Sequence, residues 1–117
     1  MTSPQENFAA RLERDTCCAI LHLQGELDVA TVDQVETAVA EAGSDTSSKH
    51  LIFDCHELDF VDSSGIRAFL AAHETWEGRV ALVHPPRIVE KAITVTGLAE
   101  LLNMVDSLEE AKALLDG

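Results

Sequence analysis

Basic residues are scarce in this chain. Eight lysines and arginines face 21 aspartates and glutamates, giving a formal charge of −13 over 117 residues. No basic stripe is available to displace counterions from nucleic acid, so a nucleic-acid partner is not expected. An anionic membrane surface is disfavoured for the same reason. A protein partner with a basic patch is favoured, beside the plain contribution of acidity to solubility. Cysteine is also sparse. Cys17, Cys18 and Cys55 form no C-x-x-C pair, and their odd number argues against a disulfide framework. They fit small core residues of a reducing compartment, which makes the expected location cytoplasmic. His22, His50, His56, His73 and His84 show neither H-E-x-x-H nor any other ligand spacing, so no metal is expected. No apolar run approaches the roughly 20 residues of a membrane span. The first residues, MTSPQENFAARLERD, lack the basic end and apolar centre of a signal peptide, and none is expected. Neither G-x-x-x-x-G-K-S/T nor G-x-G-x-x-G occurs, so no nucleotide and no other cofactor is assigned to the chain itself.

What is present is enough for one core. Hydrophobic residues make up 46% of the sequence, and the length suits a single domain over 1–117 with a mobile end at about residues 1–5. Phe8, Ala10 and Leu12 alternate with polar neighbours and predict a first strand, with a turn at Arg14-Asp15. Residues 17–23 predict a second strand, Ala19, Leu21 and Leu23 on one face and Cys18, Ile20 and His22 on the other. Gly25-Glu26-Leu27-Asp28 ends it. Thr31 followed by Gln34 fits a capping box for a helix over 31–42, with Val32, Val35, Val39 and Ala42 inward and Gly43 as its stop. A central strand over 51–54 follows, then a polar corner at Asp54 to Glu57, and a helix from about Ser63 to Trp76 that Gly78 breaks.

The run from Arg79 to His84 reads as a strand covered on both faces. Pro85-Pro86 ends it, and Pro86 suits the first turn of a helix whose inner face is Ile88, Val89, Ala92 and Ile93 and which Gly97 closes. Leu101 to Val105 supplies a short last strand. Ser107 and Glu110 form a second capping box, opening a helix with Leu108, Ala111, Leu114 and Leu115 inside. Strands and helices thus alternate. The fold class is α/β, with a four- to five-stranded mixed sheet and about four helices, parallel pairs joined by helical crossovers and the first two strands antiparallel.

The chain is organised around residues 51–70, LIFDCHELDFVDSSGIRAFL. There a strand hands over to a helix at Asp62-Ser63-Ser64-Gly65. Backbone N–H groups at a helix start lack internal partners and the helix dipole favours negative charge, so a phosphoryl group suits the place. An N-cap, worth about 1 kcal/mol, is the plain role for the same four residues. Ser63 or Ser64 as a hydrolytic nucleophile would need an oriented base. G-x-S-x-G is absent and His73 lies about two and a half turns along the helix, so a small serine-dependent enzyme is the weakest reading. The acidic group Asp54, Glu57, Asp59 and Asp62 resembles a receiver-type metal pocket only superficially, because Pro85-Pro86 stands where a lysine would follow the later strand.

With Gly25-Glu26-Leu27-Asp28, the 51–66 stretch and Thr96-Gly97-Leu98 together, the chain resembles the STAS domain family from about residue 17 to 115. Within it, the closer likeness is to free-standing bacterial anti-sigma factor antagonists. That resemblance implies a STAS-like fold and a binding module rather than an enzyme. The unphosphorylated form would bind an anti-sigma factor that is also a serine kinase, which supplies ATP and magnesium, and so free the sigma factor. Phosphorylation at Ser63, with Ser64 as the alternative, would switch binding off, and a serine phosphatase would reverse it. The implied partner surface comprises Asp28, Asp62, Ser63, Ser64, Gly65 and Arg67. Arg67 departs from the small residue that relatives often carry there. A runner-up use of the same fold is as a STAS subunit of a larger assembly, such as a lipid-transport complex.

Overall fold

A computed structural model describes residues 8–15 and 18–116. The expected mobile end at 1–5 and Cys17 lie outside the described residues. Nine elements follow one another: β1 (Phe8–Asp15), β2 (Cys18–Leu27), α1 (Val32–Gly43), β3 (His50–Val61), α2 (Ser63–Thr75), β4 (Val80–Val83), α3 (Arg87–Thr94), β5 (Met104–Val105) and α4 (Leu108–Asp116). The strands form one mixed sheet in the order β1-β2-β3-β4-β5. β1 and β2 are antiparallel, and every later pair is parallel. Each crossover steps to the next strand in the same direction, and crossovers of one hand then put their helices on one face. α1, α2 and α3 accordingly share a face, where Val35, Phe69, Val89 and Ile93 pack on Leu21, Leu51, Phe53 and Leu82. The Phe53 and Phe69 rings meet edge-on with centroids 4.9 Å apart. On the other face α4 sets Leu108, Ala111 and Leu115 over Cys18, Ile20, Ile52, Ala81 and Val83. The alternation expected for β2 is thus observed, odd-numbered apolar residues going to one core and even-numbered ones to the other.

Several local expectations give way to tertiary structure. β1 continues through Arg14 to Asp15, which pairs with Cys18, so Arg14-Asp15 is strand rather than turn. Arg14 instead reaches across to α1, donating to the Glu41 and Ala42 carbonyls at 3.1 and 3.3 Å, where a cation suits a helix C-terminus. No corner interrupts β3 at 54–57. It runs unbroken from His50 to Val61, and its ladder with β2 shifts register between His22 and Gln24 and again between Gly25 and Glu26. These bulges take up the polar residues that read as a corner. The same pairing carries β2 on to Leu27, within the Gly25–Asp28 stretch expected to end it.

The Thr31–Gln34 capping box does not form. The Thr31 hydroxyl turns back into the preceding loop, accepting from Asp28 N at 3.0 Å and donating to the Glu26 carbonyl at 2.9 Å. Gly43 sits inside α1, and the Ser44 hydroxyl closes that end on the Glu41 carbonyl at 2.7 Å. The Ser107 hydroxyl does cap α4, accepting from Glu110 N at 3.1 Å. Pro86 is the N-cap of α3 rather than a residue of its first turn. Ile88 and Leu114, expected inside, are 58% and 50% exposed, because only Val89 and Ile93 of α3 and Ala111 of α4 point fully inward. The last strand shrinks to Met104–Val105.

Beyond the reach of α4 the second face of the sheet carries a chain of titratable groups. His22 places Nε2 2.6 Å from Glu13 Oε1 and Nδ1 2.7 Å from Asp54 Oδ2, and His56 Nδ1 lies 2.8 Å from Asp54 Oδ1. Burial pushes the Asp54 carboxyl up, but hydrogen bonds from His56 and His22 outweigh it and hold it below its ordinary value of 3.8. The hydrogen bond with Asp54 raises His56 above its ordinary 6.5. A raised histidine stabilises the fold below its unfolded value and loses that effect as pH climbs through the folded one. A lowered aspartate does so above its unfolded value and loses the effect as pH falls through the folded one. The pair is therefore most effective between about pH 4 and 6.5. Asp54→Asn should bring the His56 titration midpoint down toward 6.5, read from its imidazole proton shifts by NMR. An unchanged midpoint would show that Asp54 does not hold the proton there.

Candidate functional site

Leu27 and Val61 are register partners at the ends of the adjacent parallel strands β2 and β3, and each is followed at once by an aspartate. This pairing brings Asp28 and Asp62 together at the C-terminal edge of the sheet, although 34 positions separate them in sequence. Asp62 N donates to the Leu27 carbonyl at 3.1 Å, which ties the start of α2 to the end of β2.

Asp62 caps α2. Its Oδ1 accepts from Ser64 N at 2.8 Å and from Gly65 N at 3.2 Å, while its carbonyl takes Ile66 N at 3.1 Å. The carboxylate thus satisfies N–H groups that a helix start leaves open, and its charge lies where the helix dipole favours it. Asp28 organises the neighbouring loop. Its carbonyl receives Thr31 N and Val32 N at 3.1 and 2.9 Å, and its Oδ1 accepts from Ala30 N at 2.9 Å. Asp28 therefore shapes the entry to α1 through its carbonyl and side chain together.

Ser63 is the first residue of α2 and is exposed, and Ser64 is half-buried. Among the described residues no side chain or backbone group hydrogen-bonds to either hydroxyl. Neither hydroxyl has a histidine as hydrogen-bond partner among the described residues, and His56 is engaged with Asp54 instead. Gly65 is buried, and an added Cβ would lie 2.5 Å from Val61 Cγ2 and 2.8 Å from Leu27 Cγ. The first turn of α2 rests on the Leu27–Val61 pair at a distance only a glycine permits. Arg67 is exposed and lines a hollow of about 340 Å³ between α1 and α2 with Val32, Glu36, Ser64, Ala68 and Ala71. Of the residues expected on the partner surface, five present polar or charged groups at this junction, while Gly65 sits beneath them.

Two exposed apolar side chains belong to the same rim and were not singled out from sequence. Val29, next to Asp28, is 76% exposed, and Phe60, paired in register with Glu26, is 41% exposed. Apolar letters in strand-like or helix-like spacing read as core, and only the bulge beside Phe60 shows that its ring faces outward. The acidic group Asp54, Glu57, Asp59 and Asp62 does not converge. Among the described residues no group of histidine, cysteine and carboxylate side chains has the arrangement of a metal site. No described helix is long and apolar enough to cross a membrane.

A family model for the STAS domain matches residues 9–111. An anti-sigma F factor antagonist of Paenibacillus polymyxa is 29% identical over 115 residues, covering 94% of this chain and 95% of that protein. The solved structure of the anti-sigma factor antagonist SpoIIAA in its unphosphorylated form superimposes with a TM-score of 0.71 at 30% identity, over 93% of this chain and 97% of that one. The structure of the Bacillus cell fate determinant SpoIIAA in the phosphorylated form gives 0.69 at 27% identity, over 92% and 99%.

Two substitutions separate capping from packing at this junction. Asp62→Ala should lower stability by about 1 kcal/mol through loss of the cap. Gly65→Ala should cost about 1–3 kcal/mol through overpacking against Leu27 and Val61. Urea unfolding measures both. A neutral Gly65→Ala would mean that the contact relaxes freely.

Proposed function

The chain belongs to the STAS domain family, and within it we propose that it is an anti-sigma factor antagonist whose binding is switched at Ser63. In the unphosphorylated form it captures an anti-sigma factor serine kinase and so releases the sigma factor that the kinase holds. The observation that carries this reading is the state of the Ser63 hydroxyl. It is exposed, free of hydrogen bonds to any described residue, and mounted on a helix start whose backbone is already capped by Asp62. A relative solved in both phosphorylated and unphosphorylated forms supports a covalent switch.

The chemistry is simple on this side. The Ser63 oxygen attacks the terminal phosphorus of ATP on the kinase, its proton passes to a kinase base, and ADP leaves. A serine phosphatase hydrolyses the ester and restores the hydroxyl. The chain supplies no nucleotide site and no cofactor, and acts as a regulatory partner in the cytoplasm rather than as an enzyme. Phosphorylation adds about −1.5 to −2 charges beside Asp62. A basic groove that accepts the neutral hydroxyl then faces a strongly hydrated dianion, while the dipole of α2 stabilises the phosphoserine, so the fold persists. Asp28, Asp62, Ser64 and Arg67 form the polar part of the docking surface, and Gly65 lets the helix start lie flush with it.

Ser63→Ala should retain capture of the kinase in a pull-down, and Ser63→Asp should weaken it about a hundredfold or more, which corresponds to roughly 3 kcal/mol. Mass spectrometry after incubation with kinase and ATP should place one phosphate on Ser63. Equal binding by the two variants, or no phosphate on the chain, would sink the proposal.

A further inference from the structure

Arg67 has no assigned partner. Arg14 is held by α1 carbonyls, Arg79 by the Lys49 carbonyl and Glu77, and Lys112 by Asp15. Like Arg11, Lys49, Arg87 and Lys91, Arg67 makes no ion pair and no side-chain hydrogen bond among the described residues, although Glu36 lines the same hollow. Its position sets it apart from those cations. Arg67 follows Ser63 by four residues in α2, so the two Cα atoms lie on one helix face about 40° apart and about 6 Å along the axis. Helical side chains lean toward the N-terminus, which carries the Arg67 stem back over the first turn. An anion four residues N-terminal to a cation is also the favourable order on a helix.

We propose that Arg67 is the built-in counter-charge of phosphorylated Ser63, folding back over the first turn of α2 to hold the phosphoryl oxygens with its planar guanidinium. This rests on the reading of Ser63 as the modified residue and adds its regulation. The planar guanidinium fork meets two phosphate oxygens with two parallel N–H bonds, a fixed geometry that a lysine's single ammonium lacks. Modification then changes two charges on the docking surface. It places a dianion at Ser63, and it withdraws the one cation that the unmodified surface offers beside it. Asp62, Asp28 beside it at the sheet edge, and Glu36 across the hollow all oppose ionisation of the phosphate. A lowered phosphate titration therefore has to come from Arg67 or from the helix dipole, and the dipole is common to every variant.

The full chain with phosphoserine encoded at position 63 tests this without any kinase. The probe is its phosphorus NMR signal, titrated in the natural background, in Arg67→Ala and in Arg67→Lys. Both replacements suit an exposed helix position, so the fold is retained. The phosphoserine should titrate about 0.5 unit or more higher in Arg67→Ala than in the natural background, with Arg67→Lys between them. Coincident midpoints for arginine and alanine would overturn the proposal. A lysine as effective as arginine would overturn its two-oxygen grip. Because the phosphate is installed by translation, loss of the Arg67 effect leaves Ser63 standing as acceptor. A failed kinase assay, conversely, leaves this titration readable.

Discussion

The first turn of α2 can seat on Leu27 and Val61 only because residue 65 has no side chain. A Cβ at that position would sit within 3 Å of both neighbours, so the helix axis would have to lift away from the sheet. The rest of the junction follows from this approach. Asp62 can donate its N–H to Leu27 and, in the same residue, turn its carboxylate inward to the open N–H groups of Ser64 and Gly65. With those groups satisfied by Asp62, the hydroxyl of Ser63 has no structural duty and is left to face outward. An exposed and unemployed hydroxyl on a rigid mount is what a modifying enzyme needs. The glycine that creates the mount is itself hidden.

The two faces of the sheet divide the work. One face is closed by α1, α2 and α3 and forms the larger core, so the helix bearing Ser63 is anchored along its length by Ile66, Phe69 and Ala72. The other is covered by α4 over its apolar part and by the Glu13–His22–Asp54–His56 chain beyond it. Those polar contacts join β1, β2 and β3 side by side on the face opposite the helices of the junction. His22 and His56 are thereby accounted for as sheet surface.

Much of the architecture was legible because its signals were local. The alternation of residues 18–23, the helical spacing of Ile66, Phe69 and Leu70, and the paired serine and glutamate at 107 and 110 each depend on neighbours within a few positions. The motif strings around Asp28 and Ser63 were equally visible, and so was the family. What escaped was set by contacts distant in sequence. Thr31 looks like a cap until the Glu26 carbonyl is seen to compete for its hydroxyl. Ile88 and Leu114 carry the right letters for a core, but short helices packed by one narrow stripe leave them outside. The meeting of Asp28 with Asp62 depends on the Leu27–Val61 register, which no local pattern encodes. The burial of Gly65 depends on the same pairing.

The two register shifts along β3 carry a consequence for how this segment is compared with others. From the pair Cys18–His50 to the pair Leu27–Val61, β2 advances nine positions and β3 eleven. Length and register are therefore uncoupled between Cys55 and Phe60. A chain with one residue fewer in this interval would lose a bulge while keeping the inward positions of Phe53 and Val61. An insertion or deletion here is structurally mild, whereas one between Val61 and Gly65 would pull the cap, the serine and the glycine out of phase with the sheet. Gaps in any pairing of related sequences accordingly belong inside residues 55–60 and not at the aspartate and serines that follow.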